Sequence, residues 1–138
     1  RGTEYVDWWP TETMSAAEVY MATQRRADVV VAHDAPWGTP YLAELYDQDV
    51  PPGARHRQPW PVDALHESDN HQRSLRYICD AVGATRVLHG HHHVRYDDLI
   101  VRDSQPSLHV TGLGMNGDGE DLWVIVDAAG RVLDPGTA

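Results

Sequence analysis

The sequence predicts an α/β fold, a layered α/β sandwich whose mixed sheet ends in an antiparallel meander. Three observations carry this expectation. Two helical windows are each followed at once by a short run of β-branched residues, both runs end in histidine, and the rest of the chain alternates strand candidates with glycine- or proline-marked turns. At 138 residues the chain suits a single domain, 1–138, that buries roughly two thirds of its unfolded surface without help from disulfides.

The elements follow in order. Ser15-Ala16-Ala17-Glu18 has capping-box spacing and Ala16, Val19, Tyr20 and Ala27 continue it, which predicts a helix over about 15–26. Asp28-Val29-Val30-Val31-Ala32-His33 then reads as a strand covered on both faces. Six prolines between Pro36 and Pro61 break the pattern from Asp34 to Glu67, leaving a long loop 34–67 with room for one short helix near Tyr41 to Tyr46. A second helix is expected to start near Ser68, capped by Ser68 or Asp69, with Leu75, Ile78, Cys79 and Val82 on one face and Gly83 at its end. Thr85 to His89 is the next strand. Tyr96 to Arg102, Ser107 to Thr111 and Leu122 to Asp127 follow, with turns at Gly112 to Gly119 and Ala129-Gly130.

Composition excludes several classes. A lone cysteine, Cys79, permits neither an internal disulfide nor a thiolate zinc finger. Twenty-one acids against 11 bases give a formal charge of −10, which disfavours strong nucleic-acid binding or attachment to an anionic membrane. Every base is arginine, so Schiff-base and phosphate-loop lysines are ruled out. Phenylalanine is absent, and the aromatic core falls to tryptophan and tyrosine. No apolar run approaches the roughly 20 residues of a membrane span, and no signal peptide follows Arg1, so the expected location is cytoplasmic.

The chemistry concentrates in His89, Gly90, His91, His92 and His93 at the end of the second strand. Neutral imidazole ligates zinc, iron, nickel, copper and manganese, and histidines two apart on an extended segment point the same way. Gly90 is expected to let the chain turn sharply. His33 ends the other strand, ahead of Asp34, Ala35 and Pro36. Ligands of layered α/β folds gather outside the carboxyl ends of the strands, so the two histidine ends can converge on a metal. A solvated histidine run and a structural His33 are the plainer alternatives.

Ala32-His33-Asp34-Ala35-Pro36, followed by Leu88-His89-Gly90-His91-His92-His93, resembles the last two motifs of the calcineurin-like metallophosphoesterases, a lone histidine after a strand and then Gly-His-x-His. His91 comes 58 residues after His33, and the resemblance covers roughly residues 28–127. It implies a binuclear centre of two divalent metal ions (Mn, Fe, Zn or Ni), about 3.5–4 Å apart, that activates a hydroxide against a phosphate mono- or diester. By motif position His33 and His91 would bind one metal and His93 the other. His92 fills the variable position without an inherited role, and His89 is expected to pack or hydrogen-bond behind the ligands.

The family's Asp-x-His, Gly-Asp-x-x-Asp and Gly-Asn-His-Asp or Gly-Asn-His-Glu motifs are not in this sequence. The expectation is therefore the C-terminal part of a larger metallophosphoesterase domain, inactive or weak alone and completed by the N-terminal half or a second chain, with a phosphoester as substrate. Two alternatives stay open: a non-catalytic metal-binding or interaction domain on a degenerate scaffold, and a single-zinc His₃ site. Smaller candidates are His66-Glu67-Ser68-Asp69, the arginines and histidine of Arg55-His56-Arg57 with Arg95, Trp8-Trp9-Pro10, His109, and Asp97 behind the histidines.

Overall fold

The computed structural model describes residues 13–52, 61–114, 124–127 and 131–133. Helices α1 (Ala16–Ala22), α2 (Pro40–Leu45) and α3 (Val62–Val82) accompany strands β1 (Val29–Ala32), β2 (Arg86–His89), β3 (Tyr96–Ile100), β4 (Leu108–Gly112), β5 (Ile125–Val126) and β6 (Val132–Leu133). The main sheet has the order β1-β2-β4-β3, with β1, β2 and β4 parallel and β3 antiparallel to β4. β5 and β6 form a separate antiparallel pair. The α/β class and the mixed sheet stand as the sequence predicts. The closing meander is replaced by an insertion, because β4 enters between β2 and β3 instead of following β3 outward.

α1 begins on the predicted capping box. Glu18 N–H donates to Ser15 Oγ at 3.3 Å, and the Glu18 carboxylate accepts from Ser15 N–H at 2.8 Å. It stops at Thr23, short of the expected residue 26, where the Thr23 hydroxyl donates to the Tyr20 carbonyl at 2.8 Å and competes with the helical ladder.

α3 starts six residues before the predicted Ser68. Pro61 precedes its first turn, Asp63 lies in that turn, and Ala64 and Leu65 extend the buried stripe backward. The polar pair read as a cap lies inside the helix, where Ser68 Oγ accepts from Gln72 Nε2 at 3.4 Å. The C-terminus agrees with expectation: Gly83 takes φ 75° and its N–H bonds to the Cys79 carbonyl. The loop 34–67 thus shortens, since α2 and the start of α3 occupy much of it.

The core lies between α3 and one face of the sheet. Ile78, Cys79, Val82 and Ala84 meet Val87, Val110, Leu108 and Ile100, with Met14, Val19 and Val30 packed at the margin. Burial pushes the Cys79 thiol up to about 12, so it is an inert apolar filler. Arg102 fastens the end of β3 to the end of α3, donating to Ala84 O at 2.7 Å and to Asp80 Oδ1 at 3.1 Å.

The other face differs from the both-sides cover expected for β1. Val31 is 78 % exposed there. Across that face Arg86 Nη1 donates to Thr111 Oγ1 at 3.2 Å, and Thr111 donates to Asp97 at 2.7 Å. Among the described residues no helix is long and apolar enough to cross a membrane. Trp8-Trp9-Pro10, Arg55-His56-Arg57, Leu122 and the Ala129-Gly130 turn lie outside the described residues.

Candidate metal centre

Register builds the site. Ala32 pairs with His89, and His89 with Gly112, so three parallel strands end at one rim. The chain leaves β1 and β2 side by side, with Gly90 N–H donating to the His33 carbonyl at 3.2 Å. His33 Nε2 and His91 Nδ1 come within 2.9 Å, and the rings meet edge to face at 4.7 Å between centroids. The expected convergence of the two histidine ends is therefore present.

The segment after Gly90 is not extended. His91 and His93 take φ 58° and 57°, and His92 N–H folds back onto the Gly90 carbonyl at 2.6 Å in a tight turn centred on His91. Left-handed backbone at residues with a Cβ is strained, and such strain gathers at functional sites. The turn removes the premise that residues two apart point together. His91 instead meets the neighbouring His92, with centroids 4.8 Å apart. The expected role of Gly90 also changes. The positive angles fall on the histidines, and a Cβ at Gly90 would meet nothing within 4 Å.

Asp34, buried to 5 % exposure, is the anchor. Its Oδ1 accepts from Ala35 N–H at 2.7 Å and His92 Nε2 at 2.8 Å, and its Oδ2 accepts from Gln72 Nε2 at 3.3 Å. Burial on its own would raise this carboxyl. The His92 hydrogen bond and the fields of His92 and His91 outweigh that effect and hold it below the usual range, as an acceptor-only anion.

Gln72 explains itself here. It interrupts the apolar stripe of α3 at 2 % exposure, reaching Asp34 on one side and accepting from Gln48 Nε2 at 2.7 Å on the other. Such buried amides are stabilising only when paired.

An aromatic layer backs the histidines. His89 is pushed down to about 4 by burial, so it is neutral at neutral pH. Its Nδ1 faces the Gly90 carbonyl at 3.0 Å and must carry the hydrogen, leaving Nε2 to accept from the Tyr96 hydroxyl at 2.5 Å. This is the packing and hydrogen-bonding role expected of His89. Tyr96 stacks on Tyr41 at 4.7 Å, and Asp98 accepts from Tyr41 N–H at 2.8 Å, tying α2 to β3. α2 thereby brings Tyr46, its C-cap, to His92: hydroxyl and Nδ1 are 3.1 Å apart. Burial foremost, then the Asp34 charge, raises the Tyr46 hydroxyl.

One ligand atom from each of Asp34, His91 and His92 lies within 4.8 Å of the others. A carboxylate with two imidazoles is a donor set that suits one divalent ion such as zinc, manganese or iron. Of the three residues singled out by motif, His91 belongs to this set and His33 bonds to it, while His93 is exposed and outside it. The sequence motifs do not single out Asp34 and His92 as ligands. Asp34 was visible beside His33, but nothing in the sequence encodes the turn that swings His92 inward.

The minor candidates disperse. Asp97 pairs with Arg95 at 3.2 Å and with Thr111, His109 is exposed on β4, and His66 to Asp69 lie within α3. Comparison of the chain with protein-family models, with curated proteins and with solved structures finds no match.

Proposed function

We propose that the chain is part of a metal-dependent phosphoesterase acting on a phosphate mono- or diester, with a divalent cation held by Asp34, His91 and His92. The observation that carries the proposal is the meeting of a buried, anionic Asp34 with the histidine ends of β1 and β2 at the carboxyl rim of a parallel sheet. The resemblance of both strand ends to the calcineurin-like motifs supplies the reaction class.

When bound, such a cation supplies Lewis acidity toward a phosphoryl oxygen and lowers the pKa of water. The residues prepare for it in different ways. Gln72 and Ala35 N–H fix the Asp34 carboxylate, and His33 braces the exposed His91 ring from its Nδ1 side. The two-metal chemistry of the resemblance would need His93 and further carboxylates from outside this cluster.

The test is calorimetric titration with Mn²⁺ and Zn²⁺, followed by hydrolysis of a chromogenic phosphomonoester and phosphodiester. The chain would be assayed alone and combined with a segment supplying the Asp-x-His and Gly-Asp-x-x-Asp motifs. One cation per chain, lost in His91→Ala, and metal-dependent turnover in the combined form are expected. Binding without turnover in either form would overturn catalysis and leave the second reading, a non-catalytic metal-binding or interaction domain, which the single carboxylate of the cluster favours.

A further inference from the structure

We propose that Tyr46 is a positioning residue that sets which nitrogen of His92 faces the cation, and thereby how tightly the site binds. The inference rests on Asp34, His91 and His92 forming a cation site. Asp34 Oδ1, which also accepts from Ala35 N–H, lies 2.8 Å from His92 Nε2, so the bond between them places a hydrogen on Nε2 in the cation-free chain. In the neutral ring Nδ1 is then bare and accepts from the Tyr46 hydroxyl at 3.1 Å.

A cation shared by Asp34 and His92 has to use the nitrogen that faces Asp34, because Nδ1 is turned toward Tyr46. Nε2 must therefore give up its hydrogen, and a neutral imidazole keeps one, so Nδ1 gains it. One proton leaves, one arrives and the ring charge is unchanged. The partner at Nδ1 must then accept instead of donate.

A hydroxyl does both. Tyr46 can take the Nδ1 hydrogen on its oxygen and turn its own hydrogen to water, since its side chain is only half-buried. A metal-bound histidine held through its other nitrogen in this way is better oriented and more basic. Few side chains would serve both states. A carbonyl or carboxylate at this position could not donate to the bare nitrogen, and a phenyl ring could do neither.

The placement is built rather than incidental. Tyr46 caps α2, its N–H bonded to Leu42 O at 2.9 Å, and α2 is tied to β3 through Asp98. Its ring also lies against His92 at 5.5 Å between centroids, a contact that phenylalanine would retain.

The experiment follows the His92 ring nitrogens by ¹⁵N NMR in the wild-type chain with and without Zn²⁺, and measures Zn²⁺ affinity calorimetrically for wild type and Tyr46→Phe. Expected are an Nε2-protonated ring without zinc, an Nδ1-protonated ring with it, and a 10–100-fold weaker affinity in Tyr46→Phe. Wild-type affinity in Tyr46→Phe, or a ring that keeps its Nε2 hydrogen with zinc bound, would overturn the proposal while leaving the metal site standing. Should wild type bind no zinc, the site itself falls and the proposal with it. If Tyr46→Phe does not fold, the wild-type ring states decide alone.

Discussion

The two strand exits that form the candidate centre are built on opposite plans. Leaving β1, the chain passes through exposed His33 and is then buried: Asp34, Ala35 and Pro36 are all covered, and the carboxylate is bonded on both oxygens. Leaving β2, it passes through exposed His91 and His93 with two left-handed residues and a tight turn, held by bonds to ring nitrogens. One exit is a fixed anchor resting on α3. The other is an arm with left-handed backbone at two residues, held in place through the rings of His91 and His92. A site of this kind joins rigidity on the anionic side to adjustment on the imidazole side, and a cation would close the gap between them.

The sharpest way to break this contrast is to remove the anchor. Asp34→Ala should reduce Mn²⁺ or Zn²⁺ affinity by at least about 100-fold, more than the loss expected for a supporting residue, as read by calorimetry. Retained affinity would mean that the arm holds the ion unaided.

Hydrogen exchange compares both exits in one measurement. With cation at about 100 times its Kd, amides of residues 91–94 should slow by up to about 100-fold, the linkage limit for sites that open only when unloaded. The amides of Asp34 and Ala35 should change far less, because both residues are already buried. Equal slowing at both exits would erase the distinction.

Gln72→Leu keeps the volume of the α3 stripe but leaves Asp34 Oδ2 and Gln48 Nε2 without their partner. A loss of about 1–3 kcal/mol in denaturant unfolding is expected, the penalty for orphaned buried polar groups. A neutral result would show that the anchor does not need its amide support.

The smallest effect belongs to His93→Gly. Glycine relieves the left-handed conformation at a gain of about 1–2 kcal/mol and costs about 0.4–1 kcal/mol in unfolded-state entropy, so stability should rise by at most about 1.6 kcal/mol. Cation affinity should not change. A clear fall in affinity would place His93 among the ligands, as the family resemblance implies.

The sequence was legible where structure is local. The capping box of α1, the glycine end of α3, the two β-branched strands and the short helix from Pro40 all follow from neighbouring residues, while the meeting of His33 with His91 follows from two strands that each end in histidine at one rim of the sheet. It was illegible where distant contacts decide. Pro61 starts α3 ahead of a better-looking Ser68 because Ala64 and Leu65 find a place against the core. Gln72 looks like an interruption until Asp34 lies across from it. His92 looks dispensable on the premise of an extended loop, whereas the partners of the His91 and His92 rings lie far away in the sequence, and the angles at 91 and 93 are ones that side-chain identity alone does not specify.

Gly112 shows how far a small change on the sheet would travel. It pairs across the ladder with Tyr96, whose ring fills the space that a Cβ at position 112 would need. Alanine there would push the ring aside and take the Tyr96 hydroxyl from His89 Nε2, and with it the layer on which His92 rests. A mutational scan would then score position 112, which carries no functional group, as though it were a metal ligand. Hits in such a scan therefore have to be read along lines of contact rather than by chemistry. Double mutants pairing Gly112→Ala with a smaller residue at 96 would separate damage passed along that line from damage at the site.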